Sequence, residues 1–181
     1  MAPQDRSTEM LHARARGRRL ALAVATLCGA MLLVHAAREA RGSEPVPTAA
    51  PDFALKSTGG QNLRLSEYRS EVVALAFVAS WCGSCRDSLA DLRQLQETLG
   101  PQGLSVIAVS FDEPSVATAM AAGAFPVLLD PDGEAGRLYD VGRLPALVLV
   151  DRAGMLRASH RDGKPVAEAE LAREIRGLLA E

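Results

Sequence analysis

The 181-residue chain has only three cysteines, a count that excludes a small secreted scaffold held together by several disulfides. Lysine is almost absent, occurring only at Lys56 and Lys164, and the net charge is −2. The chain therefore lacks the basic field of a nucleic-acid-binding protein, and we expect no nucleic-acid partner. With 48% apolar and 23% charged residues, the composition is typical of a globular protein, and no internal repeat is visible.

Charge is also missing from one long stretch near the N-terminus, residues 20–37. Four arginines precede this stretch, at Arg14, Arg16, Arg18 and Arg19. Positive charge followed by an apolar run is typical of an export signal, so residues 1–41 are predicted to be a signal or anchor segment. Two alternatives remain: an uncleaved anchor in the inner membrane through residues 20–37, or cleavage after Val34-His35-Ala36 to release a soluble periplasmic protein. The proline-containing residues 42–51 follow as a predicted linker.

Hydrophobic periodicity predicts an α/β domain at residues 52–181, because apolar strands alternate with amphipathic helices. Residues 72–78 are a continuous apolar run, as expected for a strand covered on both faces of a sheet. The other predicted strands are at residues 52–55, 61–65, 104–111, 127–129, 146–150 and 155–159. Helices are predicted from the residues after Cys82 to about Leu99, and at 114–122, 134–139 and 166–179.

The segment Trp81-Cys82-Gly83-Ser84-Cys85 lies between a predicted strand and a predicted helix. This placement puts Cys82 at the N-terminus of the helix, where free backbone N–H groups and the helix dipole favour a thiolate. A thiolate is the attacking species in disulfide exchange, and Cys85 lies one turn further on, where it can close a ring. The pattern therefore predicts a thioredoxin-like redox site.

Two simpler interpretations of the cysteine pair are weaker. A closed zinc site needs four ligands, and His12 and His35 lie in the export segment, which leaves only His160. We therefore expect no metal, and no other cofactor. A purely structural disulfide is also a poor explanation, since closing so short a loop removes little entropy from the unfolded chain.

Five separated segments occur in an order that resembles the membrane-tethered bacterial thioredoxin-like proteins of the TlpA/ResA/CcmG group. They are Ala50-Pro51-Asp52-Phe53, Leu65-Ser66-Glu67-Tyr68-Arg69, Ala79-Ser80-Trp81-Cys82-Gly83-Ser84-Cys85, Val109-Ser110-Phe111-Asp112 and Leu144-Pro145. The resemblance implies a thioredoxin fold with an N-terminal β-hairpin and a central helix–strand insertion, for which residues 113–130 are the candidate.

The resemblance also implies a function and a set of roles. Cys82 matches the exposed nucleophile and Cys85 the resolving thiol of a redox-active disulfide, and Trp81 matches a tryptophan packed beside the motif. Pro145 matches a cis-proline facing the disulfide, which leaves the backbone of Leu144 free to pair with an extended substrate strand. The implied activity is that of an extracytoplasmic thiol–disulfide oxidoreductase that reduces exported proteins, such as apocytochrome c or copper-site proteins. A membrane thiol reductase would supply its electrons.

Three positions depart from the family pattern, and two other functions remain as alternatives. A glutamate is common where Ser88 stands, a buried aspartate where Ala76 stands, and a threonine where Ala146 stands. The acid–base partner of Cys85 is therefore missing from its usual places. The alternatives are a peroxiredoxin-like thiol peroxidase, against which the residues before Cys82 argue, and a non-catalytic tethered binding module, against which the intact cysteine pair argues.

Overall fold

The computed structural model describes residues 48–118 and 123–181. The predicted signal or anchor segment at residues 1–41, with its apolar run at 20–37, lies outside the described residues. So do positions 42–47 of the predicted linker and the last positions of the helix predicted at 114–122. Among the helices of the two described ranges, none is long and apolar enough to cross a membrane.

Strands and helices alternate along the described chain, as predicted for an α/β protein. The strands are β1 (Ala54–Lys56), β2 (Asn62–Arg64), β3 (Val72–Val78), β4 (Leu104–Ser110), β5 (Val127–Leu129), β6 (Ala146–Val150) and β7 (Leu156–His160). The α-helices are α1 (Cys85–Leu99), α2 (Pro114–Ala117), α3 (Glu134–Leu138) and α4 (Glu168–Leu179). Short 3-10 helices follow β2 at Leu65–Tyr68 and α1 at Gly100–Gln102.

A five-stranded mixed sheet in the order β5-β4-β3-β6-β7 organises the fold. The central strand β3 pairs in parallel with β4 and antiparallel with β6. Every residue of β3 is buried, which is the consequence of its continuous apolar sequence. Strands β1 and β2 form a separate antiparallel hairpin, and the thioredoxin-like arrangement expected from the resemblance is present.

Successive residues of β3 point to opposite faces of the sheet and so enter two different cores. On one face, Ala76 and Val78 pack with apolar residues of α1 and α4, among them Leu89, Leu92 and Ile175. On the other face, Phe77 packs with Phe53 of the hairpin segment and with Ala135 and Tyr139 around α3. The sheet is thus covered on both sides.

Tyr139 connects the second core to the first residues of the domain through ring contacts and a hydrogen bond. Its ring contacts Phe53 edge-on at a centroid distance of 6.0 Å and Phe77 at 5.6 Å. The hydroxyl donates a 2.7 Å hydrogen bond to the carbonyl of Pro51. Burial, together with the nearby negative charge of Asp52, raises the pKa of this phenol well above its usual value.

Residues 113–130, predicted to be the insertion, contain α2 and β5. The strand β5 extends the sheet beyond β4 in parallel, with Ala108 opposite Val127. An isolated bridge joins Ser57 to Leu128, so the turn of the hairpin reaches the outer edge of β5. The insertion therefore widens the sheet by one strand, and the hairpin turn covers part of the edge that this strand exposes.

The first described residues pair with the far edge of the sheet. Ala49 forms an isolated bridge with Met155, and the backbone N–H of Leu156 donates to the carbonyl of Thr48 at 2.8 Å. The N–H of Ala50 donates to the carbonyl of Gly154 at 2.9 Å. The C-terminal part of the predicted linker is thus hydrogen-bonded to the turn between β6 and β7.

Several element boundaries differ by one or two residues from those predicted. The first strand begins at Ala54 because the side chain of Asp52 accepts hydrogen bonds from the backbone and hydroxyl of Ser66, each at 3.0 Å. The last helix begins at Glu168 instead of residue 166, although Val166 still packs against the first core. His160, the last residue of β7, contacts Glu174 at 3.0 Å, and its side chain is 24% exposed.

Candidate redox site

The two cysteines of the Trp81–Cys85 segment lie at the carboxyl end of β3. They are joined by a disulfide, with an S–S distance of 2.08 Å and Cα atoms 5.4 Å apart. The first helical residue of α1 is Cys85, and Cys82 precedes the helix, whereas the sequence predicted a helix starting directly after Cys82. The N–H of Cys85 donates to the carbonyl of Cys82 at 3.2 Å. Cys82 therefore still lies at the positive end of the helix dipole.

The two sulfurs have different environments. Cys85 is fully buried and belongs to the first core, with Ala76, Leu89 and Leu147. Cys82 is half-buried and packs only against the edge of that core. An incoming molecule can therefore approach Cys82 but not Cys85, as expected for a nucleophile and a resolving thiol.

An open groove of about 560 Å³ has Trp81, the residue before Cys82, in its lining. It is lined by Trp81, Phe111, Val141, Gly142, Arg143, Leu144, Asp162 and Gly163. Trp81 is 73% exposed, so its expected packing beside the motif is slight, and most of the indole faces solvent. Tryptophan is enriched among the residues that dominate binding at protein interfaces, so this exposed ring in the lining of a groove is a candidate contact for a bound molecule.

The peptide bond between Leu144 and Pro145 is cis, the form that the resemblance implies. Leu144 packs against both cores and also lines the groove. The structure thus brings Trp81 and Leu144 to one surface next to Cys82. Pro145 lies on the other side of this loop, lining a second, smaller cavity.

That second cavity, of about 20 Å³, is lined by residues at the positions where the sequence departs from the family pattern. Ala76, Ser88 and Ala146 all border it, together with Pro145 and Asp91. Its volume is close to that of one water molecule. The hydroxyl of Ser88 donates to the carbonyl of Ser84 at 3.2 Å, so it is occupied within its own helix.

The sequence did not predict a buried carboxylate beside the motif, yet Asp112 is one. It is only 8% exposed. Its carboxylate accepts hydrogen bonds from the backbone N–H and the hydroxyl of Ser80, each at 2.7 Å, and from the hydroxyl of Ser110 at 3.0 Å. Asp112 belongs to one of the segments that carry the family resemblance, but nothing in that segment alone indicates these contacts.

Comparison with known proteins places this geometry in a family. The model of the AhpC/TSA family matches residues 46–159, which is more than half of the chain. The thiol-disulfide oxidoreductase ResA of Geobacillus kaustophilus is 32% identical over 116 residues, covering 62% of this chain and 67% of that protein. The thioredoxin-like protein YneN of Bacillus subtilis is 29% identical over 118 residues, covering 61% of this chain and 68% of the relative.

Solved structures are similar over the same region. A DsbE thiol:disulfide interchange protein from Chlorobium tepidum matches with a TM-score of 0.69 and 35% identity, covering 76% of this chain and 99% of that chain. The pneumococcal exposed lipoprotein thioredoxin Etrx1 matches with a TM-score of 0.63 and 26% identity, covering 71% of this chain and 100% of that chain. The thioredoxin fold implied by the sequence is therefore confirmed.

Proposed function

The chain belongs to the AhpC/TSA family and is a thiol–disulfide oxidoreductase similar to ResA and DsbE, and we propose that it reduces disulfides of exported proteins outside the cytoplasm. The observation that carries the proposal is the difference between the two sulfurs. Cys82 is half-buried and directly follows Trp81, which lines the groove, whereas Cys85 is fully buried. This difference supports attack by the first thiol and resolution by the second.

The reaction proceeds in two exchanges. In the first, the Cys82 thiolate attacks one sulfur of a client disulfide, and the client's other sulfur leaves as a thiolate that takes a proton from water. In the second, Cys85 loses its proton and attacks the Cys82 sulfur, so that the second client thiol is released. The client gains two electrons and two protons, and the protein ends with the Cys82–Cys85 disulfide.

The groove supplies the position of the client. A client segment in extended form would lie along the backbone of Leu144, with its disulfide near Cys82 and an adjacent side chain against Trp81. Backbone pairing tolerates different sequences, whereas the pocket beside the indole would discriminate among side chains. Trp81, Leu144 and Pro145 are thus the proposed substrate-binding residues.

The sequence and the relatives support the proposed location and electron source. Residues 1–41 have the charge pattern of an export segment, and residues 20–37 would either anchor the protein in the inner membrane or be removed. One structural relative is described as an exposed lipoprotein. In an oxidising compartment a reductase must be recharged, so a membrane thiol reductase is the proposed donor. Apocytochrome c and copper-site proteins are the proposed clients.

A trapping experiment tests the proposal. The full chain with Cys85→Ser should accumulate a mixed disulfide between Cys82 and a client or the donor, because no second thiol resolves it. The adduct should disappear on treatment with dithiothreitol. The matched control is Cys82→Ser, which should form few adducts since Cys85 is buried.

The outcomes separate the components of the proposal. If Cys85→Ser forms no adduct in cells while the wild type cycles between its redox forms, the exchange mechanism is wrong. If trapped clients end up oxidised when the wild type is present, the chemistry stands but its direction is reversed. Rapid turnover of hydrogen peroxide by the purified wild type would instead favour a peroxidase.

A further inference from the structure

We propose that Asp112 is a positioning residue, which holds the segment Ala79–Cys82 in the geometry that closes the Cys82–Cys85 disulfide. The inference rests on the proposed function, because it concerns how readily that dithiol forms its ring. Asp112 lies 32 residues from Ser80 in sequence and just after β4, so it acts on the motif from a neighbouring strand. Neither the family match nor the names of the relatives assigns it a role.

The hydrogen bonds between Asp112 and the segment are short and fix both donors of Ser80. One carboxylate oxygen accepts the backbone N–H of Ser80 and the other its hydroxyl, both at 2.7 Å. Hydrogen bonds to an ionised acceptor are shorter and roughly twice as strong as neutral ones. Ser110 donates to the first of these oxygens as well, which fixes the orientation of the carboxylate. The backbone of the segment is therefore fixed at a position two residues before Cys82.

Packing holds the two ends of this segment but not its middle. Ala79 is buried and Cys82 packs against the first core, whereas Ser80 is exposed and Trp81 is 73% exposed. A Cβ atom placed on Gly83 would meet no other atom within 4 Å, so the motif projects into open space. A segment with few apolar contacts is ordered by its hydrogen bonds or by covalent links. In the oxidised protein the disulfide is such a link, but in the reduced protein it is absent, and the bonds to Asp112 remain.

This difference between the redox forms determines the direction in which loss of Asp112 shifts the equilibrium of disulfide formation. In Asp112→Asn one carboxylate oxygen is replaced by an NH2 group, which cannot accept, so one of the two Ser80 donors loses its partner while the disulfide still holds the oxidised segment in place. The reduced protein can relax and return that donor to water. Loss of Asp112 therefore destabilises the oxidised form more than the reduced form, and closing the disulfide becomes less favourable.

The experiment measures that closure directly. Reduced protein is equilibrated with glutathione buffers, where two thiols give two electrons and two protons to glutathione disulfide and form the Cys82–Cys85 bond. Thiols are then alkylated, and the oxidised fraction is determined by mass spectrometry. We expect Asp112→Asn to lower the equilibrium constant for closure about tenfold, which raises the reduction potential by about 30 mV. The fluorescence of Trp81, the single tryptophan of the chain, follows the same transition.

Asp130→Asn is the matched control. Asp130 is a buried carboxylate at 2% exposure that also accepts backbone N–H groups, those of Ala135 and Gly136, but it has no bond to the motif. The Asp130→Asn substitution should lower the stability of both redox forms equally and leave the reduction potential unchanged. Ser80→Ala removes only the hydroxyl contact and is the milder variant if Asp112→Asn folds poorly. It should shift the potential in the same direction by a smaller amount.

An unchanged potential in a folded Asp112→Asn protein, with equal loss of stability in both redox forms, would overturn the inference. So would an equal shift in Asp130→Asn, which would indicate a general effect of removing a buried charge. A wild-type protein that exchanges with neither glutathione nor dithiothreitol would contradict the proposed function itself, and that outcome is recognisable before any variant is made.

Discussion

Replacing Trp81 with Ala should separate the binding of a client from the chemistry of the thiols. Trp81 is the residue next to the nucleophile, and its indole lies at the rim of the groove. If this ring holds the client, its removal slows reactions with proteins and peptides. Reactions of Cys82 with disulfides too small to extend into the groove should keep their rates.

The exposure of the indole ring determines how much Trp81→Ala lowers the free energy of unfolding. The side chain is 73% exposed, so about a quarter of it is buried. With roughly 150–250 Å² for a large aromatic side chain and about 25 cal/mol per Å², truncation removes on the order of 1 kcal/mol from the free energy of unfolding. Buried aromatic anchors of interfaces commonly contribute about 2 kcal/mol or more on binding. That corresponds to about a thirtyfold loss of kcat/KM for a protein client.

The assay compares a large and a small disulfide. Insulin is the protein substrate, with dithiothreitol as the electron source, and glutathione disulfide is the small one. We expect Trp81→Ala to lower kcat/KM for insulin about thirtyfold and the rate with glutathione disulfide less than about threefold. Leu138→Ala is the control, because Leu138 is also an exposed apolar side chain, at 52%, but does not line the groove.

Equal losses with insulin and with glutathione disulfide would refute the reasoning, since they would place the effect of Trp81 on the reactivity of Cys82 itself. No loss with either substrate would show that clients bind elsewhere. A loss of stability well above that of Leu138→Ala would mean that the indole is part of the core, against its exposure. Urea unfolding of both variants measures this.

Two further predictions concern ionisation. In the reduced protein, the position of Cys82 before α1 should hold its pKa below the free-thiol value of about 8.5, whereas Cys85 should not share this effect. Iodoacetamide labelling against pH checks it, and faster labelling of Cys85 would reverse the assigned roles. Burial alone would raise the pKa of Asp151, but bonds from the backbone N–H of Met155 and Ala153 and from Arg157 outweigh it, so the pKa lies below the usual 3.8. The ionised Asp151 therefore stabilises the fold above pH 3.8, and this stabilisation is lost as the pH falls through the lowered pKa. In urea unfolding, Asp151→Asn should lose more stability relative to the wild type at pH 7 than at pH 3.

Much of the fold could be predicted because its strongest signals are local. A strand covered on both faces must be apolar at every position, and Val72–Val78 satisfies this in the sequence alone. Leu89, Leu92, Leu95 and Leu99 recur at helical spacing and are buried along α1. The ends of elements were less well placed, because they depend on side chains such as Asp52 that bond to residues distant in sequence.

The contacts of Asp112 could not be predicted from a local pattern, although a signal for them existed. Strands β3 and β4 are parallel neighbours, with Val78 opposite Ser110. Ser80 and Asp112 each lie two residues beyond that pair, and the carboxyl ends of parallel strands meet at one edge of a sheet. A serine and an aspartate at equal distances beyond paired strands were thus candidates for contact once the register was known. The exposure of Trp81 had no such signal, since an indole is usually assigned to a core.

The depth of the two sulfurs defines what the resolving step requires of the residues around Cys85. Cys85 must lose a proton before it closes the ring and regain one after each reduction, yet it is fully buried. The route for that proton cannot pass through Cys82, which is bonded to the client at that moment. Ala76 and Ser88, which stand where acidic residues are common in the family, both border the small cavity behind Pro145. Asp91 is the acidic side chain in the lining of that cavity, so a carboxylate beside the usual acidic positions comes from the next turn of α1.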